Sequence, residues 1–290
     1  MNCVDRSIYA AAQAIVEADT ILITAGAGIG ADSGLPDFRG NQGFWNLYPT
    51  YARQRLTFSD LANPMWFHAQ PHRAWGFYGY RYNLYKNTVP HEGFGLLRQW
   101  QDSKPNPGFV VTSNVDGQFQ KAGFYPDRIY ECHGSIHYLQ CLLNCREQIW
   151  PAGAMKIEVD QEQFLAIGDL PSCPYCGELA RPNILMFGDA GWLSTRSDLQ
   201  RYAYQRWREN AVKSKLAVIE IGAGFSLGTI RSLSQSLPAK LIRINPRDFK
   251  GPERVISIEM TALQAIHALD QALKSSCWFW GFSMSANRLS

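Results

Sequence analysis

The sequence predicts an α/β protein: a parallel sheet with helices on both faces, plus a smaller domain. Three observations carry this expectation. Short apolar, β-branched runs recur along the chain, and each ends at small or polar residues. A glycine-rich turn follows the first run directly. Two stretches break the alternation: 41–87 is dense in aromatics, and 135–181 holds two cysteine pairs.

The elements follow in order. Ile8, Ala12, Ile15 and Val16 fall on one face at helical spacing, so the chain opens on a helix. Thr20-Ile21-Leu22-Ile23-Thr24 reads as a buried strand. It runs into Ala25-Gly26-Ala27-Gly28-Ile29-Gly30, the strand-to-glycine-turn passage that opens a Rossmann-like dinucleotide unit. Glycines there let backbone amides approach a pyrophosphate, and the dipole of the following helix adds attraction. A plain tight turn is the alternative reading of that run taken alone.

Further strands repeat the pattern. Phe109-Val110-Val111-Thr112 leads into Ser113-Asn114-Val115-Asp116, and Leu216-Ala217-Val218-Ile219-Glu220-Ile221 into Gly222-Ala223-Gly224. Lys240-Leu241-Ile242-Arg243-Ile244 leads into Asn245-Pro246. Arg128-Ile129-Tyr130 and Val255-Ile256-Ser257-Ile258 supply two more strands, and a closing helix runs roughly from Thr261 to Lys274. Ligands of parallel sheets bind at the carboxyl ends of strands, so these ends converge on one crevice. The large domain is therefore assembled from 1–40, 88–134 and 182–275. The helical insertion 41–87 and the cysteine module 135–181 form the small one. The aromatic tail 276–290 either packs on the body or docks a partner.

Composition narrows the function. The 290 residues are 46% hydrophobic and 18% charged, too apolar for disorder. A net charge of +3 is no electrostatic footprint for nucleic acid. No apolar run reaches the ~18–20 residues that span a bilayer. The start of the chain lacks the pattern of a signal peptide, and seven cysteines argue against a complete disulfide framework, so a reducing cytoplasm is expected.

Four of those cysteines form two tight pairs: Cys141 with Cys145, and Cys173 with Cys176. Thiolates in two short loops can close a tetrahedral structural zinc site, with a redox pair as the alternative. All four positions filled by sulfur leave no open position for catalysis. Cys3, Cys132 and Cys277 stand apart from this set.

Ser33-Gly34-Leu35-Pro36-Asp37-Phe38-Arg39-Gly40 follows the glycine run at once, and here the sequence resembles the sirtuins, the NAD-dependent protein deacylases. The resemblance continues in order through Thr112-Ser113-Asn114-Val115-Asp116 and Glu131-Cys132-His133-Gly134-Ser135. It ends in Arg181-Pro182-Asn183-Ile184-Leu185-Met186-Phe187-Gly188-Asp189. It spans about 18–246, most of the chain.

The resemblance implies a function. An acyl-lysine protein or peptide would pass its acyl group to ADP-ribose, with release of nicotinamide. His133 would be the base, a role suited to histidine near neutral pH; His137 is the competing candidate. Asn114 would order the nicotinamide ribose and a water, and Asp116 would meet the nicotinamide carboxamide. Phe38 would shield the sugar and Arg39 would hold the phosphate side. Gly26, Ala27, Gly28, Asp37, Ser113, Gly222, Gly224 and Asn245 complete the implied cofactor set. Tyr78 and Arg81 match the Y-x-x-R pair of sirtuins that remove succinyl or malonyl groups, because an arginine fork can clamp a carboxylate. An ordinary surface helix is the alternative for that pair.

Three positions depart from the family pattern. Ser113 replaces glutamine, Gly222-Ala223-Gly224 replaces G-T-S, and Gly30 replaces serine. Each removes a polar contact on the cofactor side, which keeps NAD hydrolysis or protein mono-ADP-ribosylation as the alternative activity. A nucleotide-sensing module with little turnover is a third reading, opposed by the retained His133, Asn114 and Asp116. The sequence sets no oligomeric state.

Overall fold

The computed structural model describes the backbone of residues 3–37, 44–46, 48–225 and 227–286, with side chains from 4 to 275 within those ranges. Phe38 and Arg39 lie outside the described residues, as do the side chains of the aromatic tail.

The strands, in chain order, are β1 (Thr20–Ala25), β2 (Phe109–Thr112), β3 (Ile129–Glu131), β4 (Gly134–Cys141), β5 (Ile149–Pro151) and β6 (Glu158–Asp160). Then come β7 (Leu165–Ile167), β8 (Ala180–Ile184), β9 (Leu216–Ile221), β10 (Lys240–Ile244) and β11 (Val255–Ile258). Six of them form one sheet in the order β11-β10-β9-β1-β2-β3. Every pairing in it is parallel. The chain builds outward from β1 to β3, returns to the centre as β9 and builds outward the other way. This is the doubly wound Rossmann order, with its switch point between β1 and β9.

Alternation along the strands fills both faces. Ile21, Ile23, Val110, Ile219 and Ile242 pack on one side with the helices Cys3–Glu17, Gly93–Asp102 and Ala262–Ala286. Leu22, Phe109, Val111, Val218 and Leu241 pack on the other with Thr195–Ala211 and Thr229–Ser236. Strands buried on both faces carry continuous apolar runs, which is why the sequence exposed them. Val16 is a correction: it is 43% exposed, while Ile8, Ala11, Ala12 and Ile15 are buried. It lies about 100° beyond Ile15 on the helix, past the rim of the stripe. The closing helix also runs further than expected, to Ala286. Among the described residues no helix is long and apolar enough to cross a membrane.

A second core joins the two interrupting stretches. Phe44, Tyr48, Tyr51, Phe67, Trp75, Phe77 and Tyr82 from the first pack with Ile136, Leu139, Ile157, Phe164 and Ala180 from the second. The second stretch supplies an antiparallel sheet β5-β4-β8 and a hairpin β6-β7. The helix Pro71–Asn87 is buried nearly all round, so its apolar residues mark no single face.

At the switch point two loops meet through backbone alone. A Cβ on Gly26 would stand 2.8 Å from the Ala223 Cα. One on Gly222, whose φ is +66°, would stand 2.4 Å from the Ile29 nitrogen. Gly222→Ala should therefore lower stability by about 2–5 kcal/mol, from left-handed strain plus overpacking. Denaturant unfolding measures this, and a loss below about 1 kcal/mol would contradict the close approach.

Candidate active site

A cavity of about 820 Å³ opens at the carboxyl ends of the central strands. Gly26, Ala27 and Gly28 line it after β1, and Gly222, Ala223 and Gly224 after β9. The segment after Gly26 is a short 3-10 turn, Ala27–Ser33, rather than the expected regular helix. The amides of Gly26 and Gly28 donate to the carbonyls of Ile221 and Gly222 at 3.0 and 3.1 Å. These amides shape the loop and are not aimed at an anion. What Gly26 and Gly222 supply is the close approach of the two loops, which no side chain would allow.

The end of β2 delivers Ser113, Asn114 and Asp116. Thr112 organises the turn: its Oγ1 donates to the Ala25 carbonyl and accepts from the Asn114 amide, both at 3.0 Å. Asn114 Nδ2 donates to the Gly26 carbonyl at 3.1 Å, which fixes the orientation of its amide group. Asp116 is buried, and the Gln118 amide donates to its Oδ1 at 2.9 Å. Burial pushes its carboxyl up to about 6, opposed by that bond and by the charges of Arg81 and Lys121.

His133 follows β3 and lines the same cavity, half-buried. Burial holds its imidazole below the usual histidine value, while a hydrogen bond with the Ser113 backbone pulls upward. The ring is thus neutral at pH 7 and able to accept a proton. Its carbonyl accepts from the Leu185 amide at 3.0 Å, tying His133 to the lip of the cavity. Leu185 and Phe187 form that lip, 39% and 41% exposed. The bidentate, buried Arg181–Asp189 pair closes the loop behind them, with Arg181 Nη1 at 2.9 Å from Asp189 Oδ1.

The helix Pro71–Asn87 forms the wall and presents Tyr78, Arg81 and Tyr85. Arg81 is 5% exposed; its Nε donates to the Tyr85 hydroxyl at 3.1 Å. Its guanidinium lies 5.2–5.5 Å from the rings of Phe58, Phe77, Tyr78 and Tyr85. The Tyr78 hydroxyl is buried without a hydrogen-bond partner among the described residues. Burial pushes it up to about 12, so it stays a neutral donor.

Of the residues singled out in the sequence, Asp37 also lines the cavity. Asn245 does not. Its Nδ2 donates to the Ala223 carbonyl at 3.0 Å, and its Oδ1 accepts from the amides of Arg247 and Asp248 at 3.0 and 2.9 Å. It braces the loop, and Arg247 and Asp248 reach the cavity instead. Sequence reasoning missed these two and Tyr85. Tyr85 stands seven residues after Tyr78 and four after Arg81, so helical spacing could have found it. No local signal marked Arg247 or Asp248.

The four cysteine sulfurs lie within 4.8 Å of one another. Cys141 and Cys176 are 3.7 Å apart, and Cys145 and Cys173 are 3.6 Å apart. A tetrahedron with Zn–S bonds of about 2.3 Å has edges of about 3.8 Å, so the thiols fit a zinc ion. Gly177, at φ +78°, makes the turn that brings Cys176 back. Its amide donates to the Cys173 carbonyl at 2.9 Å.

Fold and site together define a doubly wound α/β protein with a cleft at its switch point and a four-thiol metal module. The chain belongs to the Sir2 family, whose family model matches residues 26–205. It is 29% identical to an NAD-dependent protein deacylase of Aquifex aeolicus, over 79% of this chain and 84% of that one. It is 28% identical to an NAD-dependent protein deacylase of Mycobacterium leprae, over 87% of this chain and 97% of that one. A crystal structure of a Sir2 homologue in complex with NAD shares the fold, with TM-score 0.67 and 23% identity over 91% of this chain and 93% of that one.

The metal module yields a direct expectation. The purified protein should contain one zinc per chain by elemental analysis. Cys173→Ser should lower that content and the melting temperature together, because structural zinc binding is folding free energy. Full stability without metal would refute the site.

Proposed function

We propose that this chain is an NAD-dependent protein-lysine deacylase. The observation that carries the reading is one cavity that collects a neutral His133, an oriented Asn114 and a buried Asp116. The cavity fits the cofactor: its volume suits a dinucleotide, and Gly26, Ala27, Gly28, Ser113, Gly222 and Gly224 line it with small side chains or none. NAD, when bound, would supply an electrophilic sugar carbon and nicotinamide as its leaving group. Asp116 would accept a hydrogen bond from the nicotinamide amide group. Asn114 would position the adjacent ribose. His133 would take a proton from a ribose hydroxyl on the ring nitrogen that does not bond the Ser113 backbone. Phe38 and Arg39 take the roles the family motif assigns them.

The acyl chain enters beside Tyr78 and Arg81. The buried Arg81 guanidinium and the buried Tyr78 hydroxyl, which has no hydrogen-bond partner among the described residues, together suit a carboxylate-bearing acyl group. We therefore assign preference for succinyl or malonyl over acetyl chains. NAD hydrolysis or ADP-ribosyl transfer stays the second reading, favoured by Ser113 and Gly224, which put no long side chain into the cofactor end.

The test is product analysis with NAD and a panel of acyl-lysine peptides. Nicotinamide release should depend on acyl-peptide, and His133→Ala should abolish turnover while NAD still binds. Comparable release without peptide would shift the function to NAD hydrolysis. Arg81→Met should lower kcat/KM for succinyl-lysine on the order of tenfold to a hundredfold while acetyl-lysine changes far less. Equal losses would discard the carboxylate clamp.

The pH profile follows from the two titrating groups. His133 must be neutral and Asp116 ionised, and the two titrate below the usual histidine value and at about 6 respectively. The rate should be level at neutral pH and fall through about pH 6 as Asp116 takes up a proton, with His133 adding a second loss below the usual histidine value. A profile unchanged down to pH 5 would oppose the role of Asp116.

A further inference from the structure

Strand β4 starts one residue after His133 and ends on Cys141. Midway along it, His137 turns back onto the cofactor loop, with Nε2 2.8 Å from the Asp116 carbonyl oxygen. The Ile136 amide makes a neighbouring tie to the Val115 carbonyl at 2.9 Å. Gly117 lies against the ring: a Cβ there would stand 2.7 Å from His137 Cδ2.

The arrangement addresses a weak point in the loop. Asp116 Oδ1 is held by the Gln118 amide, two residues on. The chain between passes through Gly117 at φ +71°, and glycine takes either sign of φ at little cost. The carboxyl's grip therefore depends on a hinge that its own residue type does not fix. The bond from His137 holds the upstream peptide of that hinge from outside the loop.

We propose that His137 is a positioning residue: its Nε2–H locks the Asp116–Gly117 peptide and so keeps the Asp116 carboxyl set for the amide group of the cofactor. The inference rests on the NAD-dependent reading above and extends it to a residue of the metal-module strand.

The chemistry of the ring supports this role and excludes another. A carbonyl oxygen only accepts, so Nε2 carries the proton. Burial holds the imidazole below the usual histidine value, and Glu131, Lys121 and Arg196 are the charges that face it, with the Tyr82 ring 5.9 Å away. At neutral pH the ring is uncharged with Nδ1 bare. Acid adds a proton at Nδ1 and leaves the Nε2–H bond standing. The lock thus persists in both protonation states, and the nitrogen that faces the loop cannot act as a base. His133 likewise holds a backbone group with its ring, but it lines the cavity, and His137 does not.

The test compares full-length wild type, His137→Phe and His137→Gln by calorimetric binding of NAD and of ADP-ribose, which lacks the nicotinamide end. His137→Phe keeps ring bulk and drops the donor, so NAD affinity should fall on the order of tenfold. ADP-ribose affinity should stay within about twofold, because the sugar-phosphate contacts are untouched. His137→Gln offers an amide N–H at similar reach and should recover most of the NAD affinity. Independently, nitrogen NMR of the wild-type histidines should show His137 protonated at Nε2 from pH 5 to 8.

Equal NAD affinity in wild type and His137→Phe, a parallel loss for both ligands, or no recovery in His137→Gln would overturn the proposal. So would an unprotonated Nε2, a result that holds even if the variants fold poorly. Failure of wild type to bind NAD would instead overturn the functional reading, and the NMR result would still decide whether the lock exists.

Discussion

The site depends on a contact with no side chains in it. The loops after β1 and β9 meet at Gly26 and Gly222 closely enough that a single added carbon on either would strike backbone. Everything at the cleft is referenced to that contact. The Gly222 amide donates to the Ile244 carbonyl at 3.0 Å, which carries the alignment to β10 and the Asn245 turn. On the other side, Ser113 N donates to the Ala25 carbonyl at 3.1 Å and Asn114 Nδ2 to Gly26, which carries it to β2. Cys132 N donates to the Thr112 carbonyl at 2.9 Å and brings His133 into line. Asn114 and His133 are tied to one chain of hydrogen bonds across the sheet end, so their spacing follows from strand register.

Buried charge extends that alignment outward. Arg243 Nε stands 2.5 Å from Glu220 Oε1, on residues opposite each other in register, and Arg243 Nη1 donates to the Lys250 carbonyl at 3.0 Å. Arg196 pairs with the buried Glu131 and lies 4.2 Å from the Tyr138 ring centre. Such pairs are weak arguments for stability, since desolvation offsets much of the attraction. Their geometry is more informative: one braces the loop holding Arg247 and Asp248, the other the end of β3 that precedes His133.

Much of this was legible in the sequence, for a physical reason. Central parallel strands must be apolar on both faces, and ligand sites must lie where they end, so one pattern marked both β9 and Gly222-Ala223-Gly224. The cysteine pairs were legible because metal geometry demands short spacing. What escaped is what long-range packing decides. Asn245 looked like a ligand contact because it ends a strand, yet neighbouring amides claim its oxygen. His137 looked like a rival base, and its bonding partner lies 21 residues away. Tyr85 could be read only from its spacing to Arg81, because a helix buried nearly all round has no apolar face to mark it.

The strand order also governs how the molecule comes into being. β1 is made early, but one of its two neighbours is β9, and the Lys215 amide that precedes β9 bonds the Asp19 carboxylate 196 residues earlier. A nascent chain emerging from a ribosome therefore exposes one flank of β1 until nearly three-quarters of the protein has been synthesised. Loops of that length close slowly relative to local contacts. The cleft between β1 and β9 is consequently among the last features to take shape, and a truncated product lacking β9 lacks the wall that Gly222, Ala223 and Gly224 give it.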